Sequence, residues 1–204
     1  MRRKFNIRQL IQHNPMKFGV TVLLMTATAF VGAGLMPNQN QIAVSMVCQQ
    51  ALLADQTLNV PRTMVTVSTN SVETTNGAPI SDVGEQQMDT LVTTTYQKYF
   101  TGPLLQHKIQ VLTGAIHHYK GGDIRYLGGG VDSMSFTNIT IDGIHATANA
   151  TAVVWTKVAQ DQGNGKLVVA NPHNTVLMMY TLTNQNGQWY ITDEHWKFAP
   201  GSHP

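Results

Sequence analysis

The chain has 204 residues, of which 12% are charged and 42% are hydrophobic. This length suits one ordinary domain with additional segments, and the hydrophobic fraction is high enough for a packed core, which excludes a wholly disordered chain. The formal net charge of +2 arises at the N-terminus, because residues 37–204 contain eight Lys and Arg against eleven Asp and Glu. This mildly acidic remainder excludes nucleic acid as an expected partner.

Residues 18–36, FGVTVLLMTATAFVGAGLM, contain no charged residue, and five basic residues precede them. A helix of this length rises roughly 28 Å, about the thickness of the hydrocarbon core of a bilayer. By the positive-inside rule, residues 1–17 form a basic cytoplasmic tail and the rest of the chain lies outside the cytoplasm. We therefore expect a single-pass cell-membrane protein that contacts the membrane through residues 18–36. The alternative is a signal peptide, with secretion after cleavage near Ala33.

Residues 37–79 are predicted to form a helix followed by a linker. The helix covers residues 38–56, where apolar residues recur mostly on one side. It either continues the membrane segment outward or packs on the domain. Cys48, the only cysteine, excludes an internal disulfide and is expected to pack in the apolar face of this helix. The linker is rich in Thr, Ser and Asn.

Residues 80–200 are predicted to form the folded domain, which begins with two amphipathic helices. Asp82 and Glu85 have capping-box spacing at the start of the first helix, and the sequence TGP at 101–103 ends it. Pro103 opens the second helix. The expected apolar positions are Met88, Leu91, Val92, Thr95, Tyr96 and Tyr99 in the first helix, and Leu105, Ile109, Leu112 and Ile116 in the second.

Everything after residue 123 is predicted to be strand. The alternation in DSMSFTNITID slips near Asn138, which predicts a bulge. The next strand places a row of alanines on one face, which lets a helix approach the sheet closely. Pro172 breaks the following strand, because proline cannot donate to a ladder, and NQNG predicts a hairpin before the final strand, Trp189–Phe198. Helices followed by an antiparallel meander indicate an α+β fold.

The closing sequence, GQWYITDEHWKF, is similar to the "G-x-W-x-I-x-x-x-H" last strand of several nuclear transport factor 2-like families. Trp189, Ile191 and His195 occupy the matching positions, and the resemblance covers about residues 80–200. It implies a cone-like fold in which helices pack in a strongly curved antiparallel sheet. The superfamily includes polyketide-cyclase-like, ketosteroid-isomerase-like and kinase-association domains. The layout of tail, membrane span, linker and single domain also resembles inner-membrane components of type IV secretion and conjugation machines.

Five residues are candidates for a ligand site. Strict alternation in the last strand places Asp193 and His195 on one face with Trp189 and Ile191, and directs Glu194 to the other. An Asp–His pair at the mouth of the cone could bind a polar ligand or move a proton, or it could simply orient the ring in a half-buried strand. The other candidates, as pocket-lining or core aromatics, are Trp155, Tyr126 and Tyr180. The sequence assigns no catalytic residue, metal ligand or cofactor.

Two functional hypotheses follow. The first is a membrane-tethered, extracytoplasmic, non-catalytic domain that acts by protein–protein contact in an envelope assembly. Both faces of the strand TVLMMYTL are apolar, so the N-terminal helix or a partner subunit, as in a homodimer, is expected to cover the second face. The alternative is a secreted small-molecule-binding domain, or an isomerase- or cyclase-like one, that uses the cone cavity.

Overall fold

The computed structural model describes residues 38–58, 82–118, 124–161 and 167–202. Within these ranges three helices come first and five strands follow, which confirms the predicted α+β class. The helices are α1 (Gln39–Leu58), α2 (Asp82–Tyr96) and α3 (Gly102–His118). The strands are β1 (Ile124–Asp142), β2 (His145–Asp161), β3 (Leu167–Ala170), β4 (His173–Gln185) and β5 (Gln188–Phe198).

The predicted tail, the predicted membrane segment, residues 59–79 of the linker and residues 80–81 of the predicted domain lie outside the described residues. Within the described ranges, none of the helices combines the length and the apolar character that a membrane crossing needs.

The strands form one antiparallel sheet in the order β1-β2-β4-β5, and β3 pairs with β2. Asn186 and Gly187 connect β4 to β5 with φ values of 54° and 88°. Positive φ at both central residues is the signature of the type I′ turn that suits two-residue hairpins. The predicted NQNG hairpin is therefore confirmed.

Two of the predicted irregularities are also confirmed. The register of β1 against β2 shifts between Phe136 and Asn138, where the sequence predicts a bulge. The ladder along β2 is interrupted at Pro172, because β3 ends at Ala170 and β4 begins at His173. Proline has no N–H to donate, so the ladder breaks there.

One face of the sheet is covered by the helices and is called the inner face below; the opposite side is the outer face. The alanines of β2 lie on the inner face and are buried, as predicted. Small side chains at these positions leave room for large ones from the helices and from β4, such as Tyr180, which pairs with Ala148. The buried members of the row are Ala146, Ala148, Ala150 and Ala152.

α1 packs against the sheet, which confirms one of the two arrangements predicted for it; whether it also continues residues 18–36 lies outside the described residues. Its buried face contributes to the same core as α2, α3 and the strands, although the sequence interpretation placed this helix ahead of the domain at 80–200. Cys48 is fully buried in that face, as expected. Because α1 lies on the inner face, it does not cover the outer face of β4, where Met179 is 49% exposed.

α2 and α3 begin and end close to the predicted positions. Met88, Val92 and Tyr96 of α2 are buried, whereas Leu91, predicted to be apolar-facing, is exposed. The turn between the helices pairs with β5: the N–H of Thr101 donates to the carbonyl of Ile191 at 3.1 Å, and the N–H of Ile191 donates to the carbonyl of Tyr99 at 2.8 Å. This bridge fixes α3 beside β5.

A glycine in β1 sets how closely α1 can approach the sheet. A Cβ on Gly129 would lie 2.5 Å from the backbone carbonyl oxygen of Gln56, whereas a Cβ on Gly128 would lie 3.4 Å from the nearest atom, in the ring of Trp155. We expect Gly129→Ala to lower the free energy of unfolding by about 1–3 kcal/mol, because α1 must shift. Gly128→Ala is the matched control. Equal midpoints for the two variants in chemical denaturation would contradict this packing.

Candidate functional site

A bulge in β5 determines which of its side chains face the helices. Leu182 pairs with Ile191 and Thr181 pairs with Asp193, so Thr192 is the extra residue. An extra residue reverses the alternation. Trp189 and Ile191 are therefore buried before the bulge, and Glu194, with a side chain only 8% exposed, is buried after it. The prediction that Glu194 faces away from this side was wrong, because it assumed an unbroken strand.

Asp193 and His195 lie on the outer face. Their side chains meet, with Nε2 of His195 3.0 Å from Oδ2 of Asp193, which confirms that they are paired neighbours. They do not share the face of Trp189 and Ile191, since their side chains are 55% and 67% exposed. Their role in ligand binding stays a prediction.

Two of the aromatic candidates, Trp155 and Tyr180, lie on opposite faces of the sheet. Tyr180 is fully buried on the inner face. Trp155 alternates with the alanine row and lies across Gly128 and Gly130 on the outer face. Tyr126 is in β1, opposite Val158. Trp155 and Tyr180 therefore cannot line one pocket in this arrangement.

The inner face instead holds a buried group of charged side chains, Asp55, Lys108 and Glu194, which we call the Lys108 cluster. They come from α1, α3 and β5 respectively. Nζ of Lys108 lies 2.7 Å from Oδ2 of Asp55 and 2.9 Å from Oε1 of Glu194. The Lys108 and Asp55 side chains are 15% and 14% exposed. One ammonium thus joins three elements that are far apart in sequence.

Aromatic rings complete the surroundings of the ammonium. Nζ of Lys108 lies 4.5 Å from the ring centre of Phe100 and 5.8 Å from that of Tyr96. Both distances allow a cation–π attraction, which is stronger when the cation is desolvated. The two rings meet edge to face at 5.4 Å. Lys108 is therefore held by two carboxylates on one side and by two rings on the other.

Burial shifts the proton affinity of every member of the cluster. Burial raises the pKa of Asp55, with Lys108 opposing. Burial and then repulsion from Asp55 raise the pKa of Glu194, again with Lys108 opposing. For Lys108, burial is the largest single influence and lowers the pKa, but the two carboxylates together outweigh it and the pKa is raised. Two carboxylates thus compete for one ammonium, and the site holds protons more tightly than isolated groups would.

Two buried oxygen atoms on the inner face, Oη of Tyr180 and Oε2 of Glu194, have no hydrogen-bond partner among the described residues. Tyr180 and Glu194 are directly paired across β4 and β5. Burial raises the pKa of the Tyr180 hydroxyl, as does its nearness to Cys48 and Glu194. Unpaired buried polar atoms are costly, so these two are the strongest local indication of a ligand-binding or solvent-binding position.

Sequence reasoning missed Asp55 and Lys108. Lys108 interrupts an apolar stripe, three residues after Leu105 and four before Leu112. Asp55 stands in the same way three residues after Leu52. A lone charge on an otherwise buried helix face was the available signal.

The described residues offer no group of side chains that could bind a metal ion. In the part of the chain that the structure describes, no three His, Cys, Asp or Glu side chains are grouped to hold an ion.

Comparisons with known proteins give only distant structural likenesses. No family model and no curated protein matches the chain. The intermembrane space region of the chloroplast protein ARC6 is similar over 57% of this chain and 92% of its own, with 15% identity and a TM-score of 0.43. An Ntf2-like protein involved in plasmid conjugation matches over 58% of this chain and 43% of its own, at 9% identity and a TM-score of 0.36.

A third structure is a protein of unknown function with a cystatin-like fold from Nostoc punctiforme. It matches over 58% of this chain and 84% of its own, with 14% identity and a TM-score of 0.32. At these scores the likenesses are too weak to assign a family or an activity.

Proposed function

We propose that this chain is a membrane-tethered, extracytoplasmic, non-catalytic domain that acts by protein–protein contact in an envelope assembly. The observation that carries the proposal is the Lys108 cluster. Lys108 engages both buried carboxylates, so these charges serve to hold α1, α3 and β5 together. Groups committed to each other in this way are poorly placed to perform acid–base chemistry on a substrate, which leaves the surface to carry the function.

The remaining parts of the proposal rest on the sequence. Residues 18–36 supply the tether, and the closing strand supplies the resemblance to cone-like nuclear transport factor 2-like domains. Large apolar side chains on the surface suit a contact function: Met179 is 49% exposed and Trp196 is 57% exposed. Exposed apolar residues are common. Met179 lies on the outer face opposite His195, whereas Trp196 lies on the side of Glu194, so the two belong to different contact areas.

The contact function is tested by site-specific photo-crosslinking of the full chain in its native membrane. A photoreactive residue replaces Met179 on the outer face of β4, and the control position is Val111 on α3, which is 57% exposed. We expect a discrete crosslink from position 179 to an envelope protein identified by mass spectrometry, and a weaker one from position 111. Failure to crosslink any envelope protein from either position would contradict the proposal.

The tether is tested by mass spectrometry of the mature N-terminus. An intact N-terminus that includes residues 18–36, in the membrane fraction, is the expected result. A mature chain that begins at residue 34 would contradict the tether and favour secretion.

A second candidate is a small-molecule-binding or isomerase-like domain, favoured by the unpartnered Oη of Tyr180 and Oε2 of Glu194. It predicts that some members of a metabolite panel raise the melting temperature of the full chain, and that Tyr180→Phe abolishes the shift. Tyr190→Phe, on the same hairpin, is the matched control. Shifts that survive Tyr180→Phe, or none across the panel, would count against this candidate.

A further inference from the structure

β5 is the last strand of the sheet that the structure describes, and half of its free side has no neighbouring strand among the described residues. At Ile191 that side is occupied by the Tyr99–Thr101 turn. From Asp193 to Phe198 the described residues provide no neighbouring strand on this side. We call this stretch the β5 edge. Unpaired edge groups are a ready template for another strand.

The hydrogen-bond pattern shows which backbone groups the edge presents. The N–H of Ala199 donates to the carbonyl of Thr175 at 2.9 Å, so odd-numbered residues after the bulge bond to β4. Glu194, Trp196 and Phe198 therefore present their backbone groups outward. The N–H of Glu194 is occupied by Oδ1 of its neighbour Asp193 at 2.9 Å. The backbone of Trp196 has no partner in the described part of the chain.

The outer-face side chains of this edge are self-complementary. They run Asp193, His195, Lys197: an acidic residue, a histidine and a basic residue at equal spacing. We propose that the β5 edge binds the β5 edge of a second copy of this chain in antiparallel register, with His195 opposite His195. This register places each Asp193 opposite the Lys197 of the other copy, so the dimer forms two cross-strand ion pairs.

Backbone and aromatic groups fit the same register. Glu194 and Trp196 of opposite copies form the hydrogen-bonded pairs. The Asp193 carboxylate is released both from the N–H of Glu194 and from Nε2 of His195, and turns to Lys197 of the other copy. The two Trp196 rings, each 57% exposed, become diagonal neighbours, a separation that aromatic rings can span. Trp196 already packs edge to face on Phe198 at 5.3 Å. Pairing covers both rings and lengthens the apolar surface.

The two adjacent registers are less favourable, one because of charge and the other because the edge is already occupied. If Trp196 opposed itself, His195 would lie opposite Lys197. If Glu194 opposed itself, Lys197 would reach Ile191, where the Tyr99–Thr101 turn already occupies the edge. A lone lysine normally discourages edge pairing, but Asp193 of the other copy, directly opposite Lys197, reverses that effect.

Cysteine substitution tests the register in the full chain in detergent micelles. His195→Cys is expected to form an inter-chain disulfide on mild oxidation, because residues facing each other in a non-hydrogen-bonded pair have their Cα atoms only about 4.5 Å apart. Thr147→Cys, exposed on the outer face of β2, is the control and should stay reduced. The native Cys48 is buried and is retained.

Charge exchange tests the contact itself. Asp193→Lys or Lys197→Asp alone should weaken dimerisation, measured by analytical ultracentrifugation, by roughly tenfold, because each change opposes like charges twice. The double variant Asp193→Lys/Lys197→Asp should restore dimerisation.

A monomeric wild type that does not crosslink through position 195, or a dimer insensitive to the charge exchange, would overturn the inference. A β5 dimer that touches no envelope protein would refute the proposed function while leaving this inference intact.

Discussion

Replacement of Lys108 by methionine is expected to lower the free energy of unfolding by about 3–5 kcal/mol at neutral pH. The ammonium is the shared partner of Asp55 and Glu194, at 2.7 Å and 2.9 Å. Methionine has a similar length and fills the same space, but it leaves two carboxylates buried and facing each other without compensation. Chemical denaturation of the full chain in detergent, followed by tryptophan fluorescence, to which the buried Trp189 contributes, measures the change.

Lys98→Met provides the matched control. Lys98 lies in the turn after α2 with an exposed side chain, so the same substitution there should change the free energy of unfolding by less than about 0.5 kcal/mol. Equal effects at the two positions would mean that the Lys108 cluster does not hold the fold together.

The contribution of the Lys108 cluster to the free energy of unfolding is expected to fall as pH rises above about 4. Burial raises the pKa of Asp55 and Glu194 above the unfolded values of about 3.9 and 4.3. The folded state then binds more protons than the unfolded state between the unfolded and the folded pKa values. The free energy of unfolding therefore decreases with rising pH across that window. Each unit of separation contributes about 1.4 kcal/mol.

Lys108 acts at the other end of the pH scale. Its pKa is raised in the folded state, so its contribution is fully present below the unfolded value of about 10.4 and is lost as pH rises through the folded value. Denaturation curves at several pH values check both windows. The Asp55→Asn/Glu194→Gln variant should have a flatter profile above about pH 4, and Lys108→Met should recover part of its loss on the acid side. Identical profiles for wild type and the double variant would contradict the assigned cause.

The sequence was informative wherever one residue decides a local geometry. Pro172 interrupts a ladder in any sheet, Asn186-Gly187 favours one turn type, and the alanine row marks a face that helices approach. These features depend on neighbours within a few residues, and the structure has each of them where the pattern placed it.

The charged interior was not predictable in the same way, because two long-range facts decide it. Thr192 forms a bulge only when β5 pairs with β4, and that single extra residue turns Glu194 inward and leaves Asp193 and His195 outside. Lys108 and Asp55 are 53 residues apart and meet only because α1 docks on the sheet. An isolated charge on each apolar helix face hinted at burial, but the partner of each charge follows only from the tertiary packing.

Amide hydrogen exchange of the full chain tests most directly whether α1 is locked onto the sheet through the Lys108 cluster. In the wild type, amides of α1 between Val44 and Ala54 are expected to exchange as slowly as those of β2 and β4. In the Lys108→Met variant, α1 should exchange much faster while the sheet stays protected for longer. Rapid exchange of α1 in the wild type, or α1 protection unchanged by the substitution, would contradict the account.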